Sequence, residues 1–390
     1  MIESTRISRL PPYLFARINK LKMEARWQGR DVIDLGMGNP DQPPESHIIE
    51  KLIEVARKPK VHGYSTSRGI PNLRKAITRR YEEKYGVILD PETEAVVTIG
   101  IKEGISHLLL AILNEGDIVI VPTPTYPSHF YHVAIAGGNL ITIPLLNEES
   151  FIPKLEDTVK KTYPNVKVLI LSFPHNPTTK IVSLDFFQSI VKFAKKYGII
   201  VVHDFAYADI CFDGYKAPSF LQAKGAKKVG IEFYSISKTY NMAGWRVGFA
   251  VGRKDIIAAL TKLKSYYDYG IYTPIQVAAI QALNGPQDWV EKNVENYRKR
   301  RDTFIRGLER LNWKVEPPKA TMYVWVPIPQ EFRPAGSLKF SIRLLKEGDV
   351  ACSPGVGFGD NGEGYLRFAL VENEHRIRQA IRGIKKVIKE

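Results

Sequence analysis

Short apolar runs alternate with amphipathic stretches through the middle of the chain, from about residue 94 to residue 252. The runs at 95–99, 117–121, 168–173, 199–202 and 231–235 have the length and the β-branched content of buried strands. Stretches between them, such as residues 185–197, carry apolar residues at helical spacing. Strands that alternate with helices predict a mainly parallel sheet with helices on both faces, and hence the α/β class.

The two ends of the chain have a different pattern. Residues 322–327 and 364–370 are predicted strands, and residues 338–347 and 377–388 have helical spacing. At the other end, a helix over residues 11–29 and a short strand at 32–35 are expected. We therefore expect a large domain over residues 45–280 and a smaller α+β domain built from residues 1–44 and 281–390.

A residue that can serve a ligand follows each of five predicted strands. These residues are Gly100, Tyr126, Asn176, Asp204 and Lys238. In open α/β sheets, ligands bind outside the carboxyl ends of the strands, so the five positions are expected to meet at one edge. This convergence favours a ligand site over five unrelated surface positions.

Lys238 has the most informative surroundings in the chain. It lies among small hydroxyl residues on a turn between two predicted strands, and Arg246 follows shortly before the second of them. A lysine held there, partly desolvated and close to another cation, can act as a Schiff-base nucleophile. Hydroxyls and an arginine suit a phosphate, so the stretch contains the parts of a pyridoxal phosphate (PLP) site. Taken alone, a surface lysine on a loop is the alternative interpretation.

Three other positions also have both a ligand interpretation and a plain structural one. Gly100 lies between a strand and a helix, where free backbone N–H groups bind phosphate. Tyr126, between prolines, can stack on a flat ring or simply fill the core. Asp204 brings a carboxylate to the edge of a buried sheet and needs a partner, which can be a pyridinium N–H or the start of a helix.

Composition excludes several classes of protein. The net charge of +15 suits carboxylate substrates, and the basic residues are scattered rather than gathered into a nucleic-acid groove. Two cysteines in 390 residues imply no disulfide framework, which fits a reducing cytoplasm. The sequence has neither the apolar core of a signal peptide nor a long apolar run, so nothing in it indicates a membrane protein.

One segment of the sequence matches a known binding motif but lacks the structural context that the motif requires. Residues 357–362 match the string G-x-G-x-x-G, which marks dinucleotide sites when a helix follows it. A strand is predicted after this segment, so we expect a flexible loop and no dinucleotide site.

Together these motifs resemble those of the fold-type I PLP enzymes of the aspartate aminotransferase class, over essentially the whole chain. The resemblance rests on Ser-x-Ser-Lys with an arginine eight residues on, Asn-Pro-Thr from Asn176, Asp-x-x-Tyr from Asp204, and Arg367. Stretches beginning at Leu10, His62 and Ser237 are most similar to bacterial alanine (glutamate–pyruvate) aminotransferases, and LL-diaminopimelate aminotransferases are similar too. The implied fold is the three-layer PLP-transferase fold with a smaller α+β domain.

The resemblance implies roles in cofactor binding and catalysis. Lys238 would bond to PLP and shuttle a proton, Asp204 would pair with the pyridinium nitrogen, and Tyr126 would stack on the ring. Asn176 and Tyr207 would donate hydrogen bonds to the oxygen of the ring hydroxyl, with Tyr207 counted among the catalytic residues. The residues implied to hold the phosphate are Tyr64, Ile101, Lys102, Ser235, Ser237 and Arg246.

The resemblance also implies how the substrate is held. Arg367 would clamp the α-carboxylate as a bidentate fork, with Gly38 and Asn176 assisting. Tyr13 and Lys102 are further candidates for substrate contact. The second arginine that animal aspartate aminotransferases use for a side-chain carboxylate has no recognisable counterpart here, which counts against an aspartate preference.

The predicted protein is thus a cytoplasmic homodimer with shared active sites, in which Tyr64 reaches the site of the other subunit. The expected reaction is L-alanine + 2-oxoglutarate = pyruvate + L-glutamate. The alternatives are an aspartate or LL-diaminopimelate aminotransferase, a PLP-dependent C–S lyase, and a PLP-binding transcription regulator. The last would need a DNA-binding domain before the fold, and only about 30 residues precede the first glycine-rich loop, which begins at Gly36.

Overall fold

The computed structural model describes residues 2–11, 14–145 and 147–389. The strands within these residues fall into one large sheet, one three-stranded sheet and one short pair. In chain order they are β1 (Ile33–Asp34), β2 (Ala95–Thr98), β3 (Ile118–Thr123), β4 (Asn139–Pro144), β5 (Val166–Ser172), β6 (Ile200–Phe205), β7 (Gly230–Ser235), β8 (Gly248–Gly252), β9 (Tyr323–Pro327), β10 (Val350–Ala351), β11 (Ser353–Pro354) and β12 (Tyr365–Ala369).

The large sheet has seven strands in the spatial order β2-β8-β7-β6-β5-β3-β4. Strands β4, β3, β5, β6 and β7 run parallel, whereas β8 is antiparallel to both of its neighbours, β7 and β2. Because the direction reverses twice, β2 points the same way as β7. The carboxyl ends of all the strands except β8 therefore meet at one edge, which confirms the predicted mainly parallel α/β sheet.

The helices alternate with these strands in the middle of the chain and cluster near its ends. In chain order, the α-helices of the described residues are α1 (Thr5–Ser8), α2 (Leu14–Trp27), α3 (Ser46–Ala56), α4 (Pro71–Tyr85), α5 (Gly100–Ile112), α6 (Ser128–Ile135), α7 (Glu148–Lys160), α8 (Leu184–Tyr197), α9 (Ile236–Thr239), α10 (Lys254–Tyr267), α11 (Thr273–Asn284), α12 (Asp288–Glu309), α13 (Gly336–Gly348) and α14 (Glu374–Lys389).

Helices cover both faces of the large sheet, which explains why its strands other than the edge strand β4 are buried along nearly their whole length. On one face, Val96 of β2 belongs to the same buried cluster as Leu108 of α5 and Leu260 of α10. On the other face, the next residue of β2, Val97, packs in a cluster with Phe187 of α8 and residues of α4 and α11. The arrangement is the three-layer fold that the resemblance implies.

A second core surrounds the small antiparallel sheet, whose order is β11-β12-β9. Phe368 of β12 packs there with Phe304 of α12, Leu344 of α13 and Ile384 of α14. Strand β1 pairs with β10 next to this core, so the N-terminal segment joins the C-terminal part of the chain. We propose that residues 1–44 and 281–390 form the smaller domain and residues 45–280 the larger one.

Several predicted boundaries and local structures need correction. Strand β6 continues through Asp204 to Phe205, so this carboxylate lies inside a strand rather than two residues beyond one. Lys238 lies between β7 and β8 as predicted, and the turn that carries it is the single helical turn α9. The segment predicted as a flexible loop at 357–362 forms parts of two 3-10 turns, and its Phe358 is buried. Residues 2–11, 14–145 and 147–389 contain no helix with both the length and the apolar character needed to cross a membrane.

Candidate active site

A cavity of about 360 Å³ lies where the carboxyl ends of the large-sheet strands face the small sheet. Its wall combines residues that follow β2, β3, β5, β6 and β7 with residues of β9 and β12. The structure therefore brings together most of the positions that the sequence singled out. The predicted site residues that line the cavity are Gly38, Ile101, Lys102, Tyr126, Asn176, Asp204, Tyr207, Ser235, Ser237, Lys238, Arg246 and Arg367.

Two predicted site residues are not among those lining residues. Tyr64 is 95% exposed in the single chain and lies beside Tyr269, with 5.5 Å between the ring centroids and 32° between the ring planes. Tyr13 lies outside the described residues. The position of Tyr64 leaves it free to serve a neighbouring subunit, as the resemblance implies, but it takes no part in the cavity of its own chain.

Lys238 projects into the cavity from α9, the helical turn that follows β7. Ser235 begins this turn by accepting a hydrogen bond from the backbone N–H of Ser237. The Lys238 amine donates to the carbonyl oxygen of Gly38 at 2.5 Å. Burial, together with the positive charges of Arg367 and Arg246, lowers the pKa of Lys238 to about 8. A substantial fraction of the amine is therefore neutral near physiological pH, as a nucleophile or a base requires.

Asp204 is a buried carboxylate that points into the same cavity and is held by a histidine. Its Oδ2 lies 3.0 Å from Nε2 of His129, and its Oδ1 accepts from the backbone N–H of Ala206 at 3.1 Å. Nδ1 of His129 in turn lies 3.0 Å from the hydroxyl of Thr125. This series of hydrogen bonds fixes the Asp204 carboxylate in a position where the positive charge of a ligand ring can pair with it. Sequence reasoning missed His129, which is 75 residues from Asp204, so no local pattern links the two.

The start of α5 and the side chain of Arg246 form a positively polarised corner of the cavity. Gly100 begins α5 with φ +76°, and Ile101 and Lys102 follow it in the first turn. A Cβ atom at Gly100 would lie 2.6 Å from Nη2 of Arg246. The free N–H groups of a helix start and a guanidinium in contact with it make a site for an anion.

Arg367 lies on β12, and its guanidinium is held in place from several sides. Nη1 donates to Oδ1 of Asn176 at 2.8 Å, and Nη2 donates to the carbonyl oxygen of Gly36 at 2.8 Å. Nη2 also lies 3.2 Å from the hydroxyl of Ser353. Its Nε is buried and has no hydrogen-bond partner within the described part of the chain. An oriented guanidinium with unused donor capacity suits a carboxylate ligand.

The chain matches the family described as aminotransferase class I and II over residues 30–384. It belongs to this family. The glutamate–pyruvate aminotransferase AlaC of Escherichia coli K12 is 55% identical over 381 residues, which cover 98% of this chain and 92% of AlaC. The LL-diaminopimelate aminotransferase of Moorella thermoacetica is 45% identical over 388 residues, which cover 100% of this chain and 99% of that enzyme. Among solved structures, substrate-bound BacF from Bacillus subtilis superposes with a TM-score of 0.93 at 37% identity, covering 99% of this chain and 98% of BacF.

Enzymes of this family exchange amino groups between amino acids and 2-oxo acids and use PLP as their cofactor. The cavity fits this group at three points. The Lys238 amine suits its aldehyde, the buried Asp204 carboxylate suits its ring nitrogen, and the corner formed by Arg246 and the start of α5 suits its phosphate. Each match joins a group of the cofactor to a side chain or helix end of complementary chemistry.

The contact between Gly100 and Arg246 gives a first testable expectation. In Gly100→Ala, the new methyl group must displace the guanidinium, and alanine must also adopt a left-handed backbone conformation. We expect PLP to bind roughly tenfold more weakly, as measured by titrating cofactor-free protein and following the absorbance of bound PLP. Gly198→Ala is the matched control, because Gly198 has a similar φ of +68° with open space around it. Equal losses of affinity in both variants would show that the Arg246 contact is unimportant.

Proposed function

We propose that the protein catalyses L-alanine + 2-oxoglutarate = pyruvate + L-glutamate. The main support for this proposal is the number of arginines in the cavity wall. Among the described residues, two arginines line it, Arg246 and Arg367. Arg246 lies against the start of α5, which leaves Arg367 as the guanidinium for the substrate. One clamp suits a donor with one carboxylate, and the 55% identity with the glutamate–pyruvate aminotransferase AlaC supports the same choice.

Glutamate and 2-oxoglutarate carry a second carboxylate. It needs a second partner in the same cavity, one that binds a carboxylate less tightly than an arginine does. Lys102 fits this part, because it follows the start of α5 on the cavity wall and its side chain is largely exposed. A flexible, hydrated ammonium can meet a distal carboxylate without excluding a methyl group. We therefore assign Lys102 to the distal end of the dicarboxylate substrates.

The proposed chemistry assigns one task to each residue near the reacting atoms. Arg367 binds the α-carboxylate with two parallel hydrogen bonds and so orients the substrate toward Lys238. The neutral Lys238 amine takes the proton from Cα and would deliver it to the C4′ carbon of PLP, and the reverse half-reaction would return a proton to Cα of the new amino acid, as its lowered pKa allows. Asp204 holds the positive charge of the ring nitrogen. When PLP is bound, it supplies the electron withdrawal that makes the Cα proton acidic.

The remaining residues position the cofactor. Tyr126 would stack on the ring, and Asn176 and Tyr207 would donate hydrogen bonds to its ring oxygen. Ser235 and Ser237 would donate to the phosphate, next to Arg246 and the first N–H groups of α5. We also propose that a second copy of the chain supplies Tyr64 to the phosphate, since this tyrosine is 95% exposed in the single chain. A homodimer is the assembly that these assignments imply, and we propose that it lies in the cytoplasm.

An LL-diaminopimelate aminotransferase is the second candidate function. The relative from Moorella thermoacetica that bears this name is 45% identical over the full chain. A paired cation and anion also lie in the cavity wall, where the Lys22 amine contacts the Asp34 carboxylate at 2.5 Å. The distal end of LL-diaminopimelate carries both a carboxylate and an amine, so it matches this pair in charge.

A panel of amino donors distinguishes these functions. We expect kcat/KM for alanine, with 2-oxoglutarate as acceptor, to exceed the values for aspartate and for LL-diaminopimelate. The measurement is steady-state turnover at a saturating, identical acceptor concentration. A tenfold advantage of either rival donor, equal to about 1.4 kcal/mol of transition-state discrimination, would overturn the alanine assignment. Release of a thiol together with pyruvate and ammonia from a thioether amino acid such as cystathionine, without any oxo-acid acceptor, would instead identify a C–S lyase.

A further inference from the structure

Tyr323 is a buried tyrosine in the cavity wall for which the sequence motifs indicate no role. It begins β9 and is 3% exposed. Strand β9 pairs with β12, where Tyr323 lies opposite Ala369 and Trp325 lies opposite Arg367. Tyr323 is therefore a diagonal neighbour of Arg367 across the small sheet, within reach of its long side chain. From the sequence, the segment at 322–327 predicts a strand and nothing more.

The hydroxyl of Tyr323 meets a residue of the cofactor side of the cavity. It lies 2.9 Å from the hydroxyl of Tyr207, and both groups are buried. Burial and the proximity of Tyr323 raise the pKa of Tyr207, so Tyr207 keeps its proton at neutral pH. A hydroxyl donates one hydrogen bond and can accept others. When Tyr323 donates to Tyr207, the proton of Tyr207 remains free to be donated into the cavity.

The ring of Tyr323 meets the substrate side of the cavity. The guanidinium carbon of Arg367 lies 4.1 Å from its centroid and 4.7 Å from that of Phe358, within the range of cation–π contacts. Gly38 packs against the same residue, since a Cβ atom there would lie 2.0 Å from the Tyr323 hydroxyl. The carbonyl oxygen of Gly38 accepts from Lys238. Tyr323 thus contacts Tyr207, Arg367 and Gly38. The first two have roles in the proposed chemistry, and the third accepts a hydrogen bond from Lys238.

We propose that Tyr323 is a positioning residue that links the ring oxygen of the cofactor to the carboxylate clamp. Its hydroxyl donates to Tyr207 and turns the proton of Tyr207 toward the cofactor. Its ring face supports the guanidinium of Arg367 in the orientation that receives the α-carboxylate. This inference rests on the proposed roles of Tyr207 and Arg367, but not on which amino acid is the preferred donor.

Tyr323→Phe tests the hydroxyl, because it keeps the ring and removes only one oxygen. A donor that receives a hydrogen bond is polarised and becomes a stronger donor itself. A stronger donor stabilises negative charge on the cofactor's ring oxygen, so its loss disfavours the deprotonated form of the bound cofactor. We expect the midpoint of the cofactor's absorbance change with pH to rise by roughly half a unit. The KM for alanine should change by less than about twofold.

Tyr323→Leu tests the ring, because it removes the surface beneath Arg367 as well. We expect the same upward shift in the absorbance titration together with an increase of about tenfold in the KM for alanine and for glutamate alike. The Kd of a simple monocarboxylate inhibitor should increase by the same factor. Tyr365→Phe is the matched control, since Tyr365 belongs to the same small sheet and is 37% exposed.

Three results would overturn the inference. The first is a Tyr323→Phe enzyme whose absorbance midpoint equals that of Tyr365→Phe, although Tyr207→Phe moves the midpoint. The coupling through the Tyr323 hydroxyl is then absent. The second is Tyr323→Leu with wild-type KM values. The third is an unchanged titration in Tyr207→Phe, which would remove the proposed role of Tyr207 itself. If Tyr323→Phe does not fold, Gly38→Ala displaces the same hydroxyl and must give the same upward shift.

Discussion

Lys238→Ala is expected to abolish transamination while leaving a folded protein that still binds PLP without a covalent bond. The side chain is both the proposed nucleophile toward PLP and the proposed carrier of the Cα proton. Lys238 combines a place in the cavity wall with a lowered amine pKa of about 8. Loss of both roles should lower turnover by about 10⁴-fold or more. Steady-state rates and the absorbance of the bound cofactor measure the two effects.

The control for this variant is Lys254→Ala, which removes an exposed lysine from the start of α10, outside the cavity. It should retain wild-type turnover and the wild-type absorbance. A further check is borohydride reduction of the wild-type protein, followed by peptide mapping of the cofactor that becomes permanently attached. Attachment to any lysine other than Lys238 would refute the assignment.

Much of the fold and the site was predictable because the informative residues lie at strand ends. Four strands each lead into one chemically distinctive residue, a fifth carries Asp204 near its end, and the parallel arrangement brings those strand ends to one edge. Local pattern therefore suffices to place Tyr126, Asn176 and Lys238 in a common cavity, together with the helix start at Gly100, whose next residue Ile101 lines that cavity. The reasoning needs neither side-chain geometry nor knowledge of the loops.

The end of β6 shows where local pattern fails. The polar pair His203 and Asp204 indicated that the strand stops at residue 202, yet β6 continues to Phe205. The strand tolerates His203 because its Nδ1 lies 2.8 Å from the carboxylate of Glu232 on β7, and both side chains are fully buried. Tyr81 and Ser219 donate to the same carboxylate. Such partners are remote in sequence, so a buried polar pair is indistinguishable from a strand end until the chain is folded.

The supporting contacts of the site were unpredictable for the same reason. His129 is 75 residues from Asp204, and Tyr323 is 116 residues from Tyr207. Each contact depends on which helices, strands and loops become neighbours in the fold, and no spacing in the sequence encodes that. The single turn α9 was also missed, because four residues are too few to show a helical period. The positions of residues that follow a strand and line the cavity were thus predictable, whereas the residues that contact them from other elements were not.

Asp204→Ala is the second variant with a large expected effect. Asp204 is 6% exposed, and its carboxylate is held by His129 and by the backbone N–H of Ala206. Removing the carboxylate leaves the ring nitrogen of the cofactor without its buried partner, so the ring loses its positive charge or keeps it unpaired. We expect PLP to bind more weakly by about 2–4 kcal/mol, since one member of a buried ion pair is removed. Turnover should fall by at least about 10²-fold, because a neutral ring withdraws electrons poorly.

Asp204→Asn separates charge from shape in this prediction. The amide keeps the size of the side chain and can still accept from Ala206, but it carries no negative charge to pair with the ring nitrogen. If the charge is what matters, Asn and Ala variants should lose turnover to a similar extent, and the Asn variant should stay closer to wild type in thermal stability. Measured PLP affinity and single-turnover rates for both variants decide the matter. Wild-type turnover and wild-type affinity in Asp204→Asn would mean that the carboxylate does not pair with the ring nitrogen, and that the contact with His129 serves packing alone.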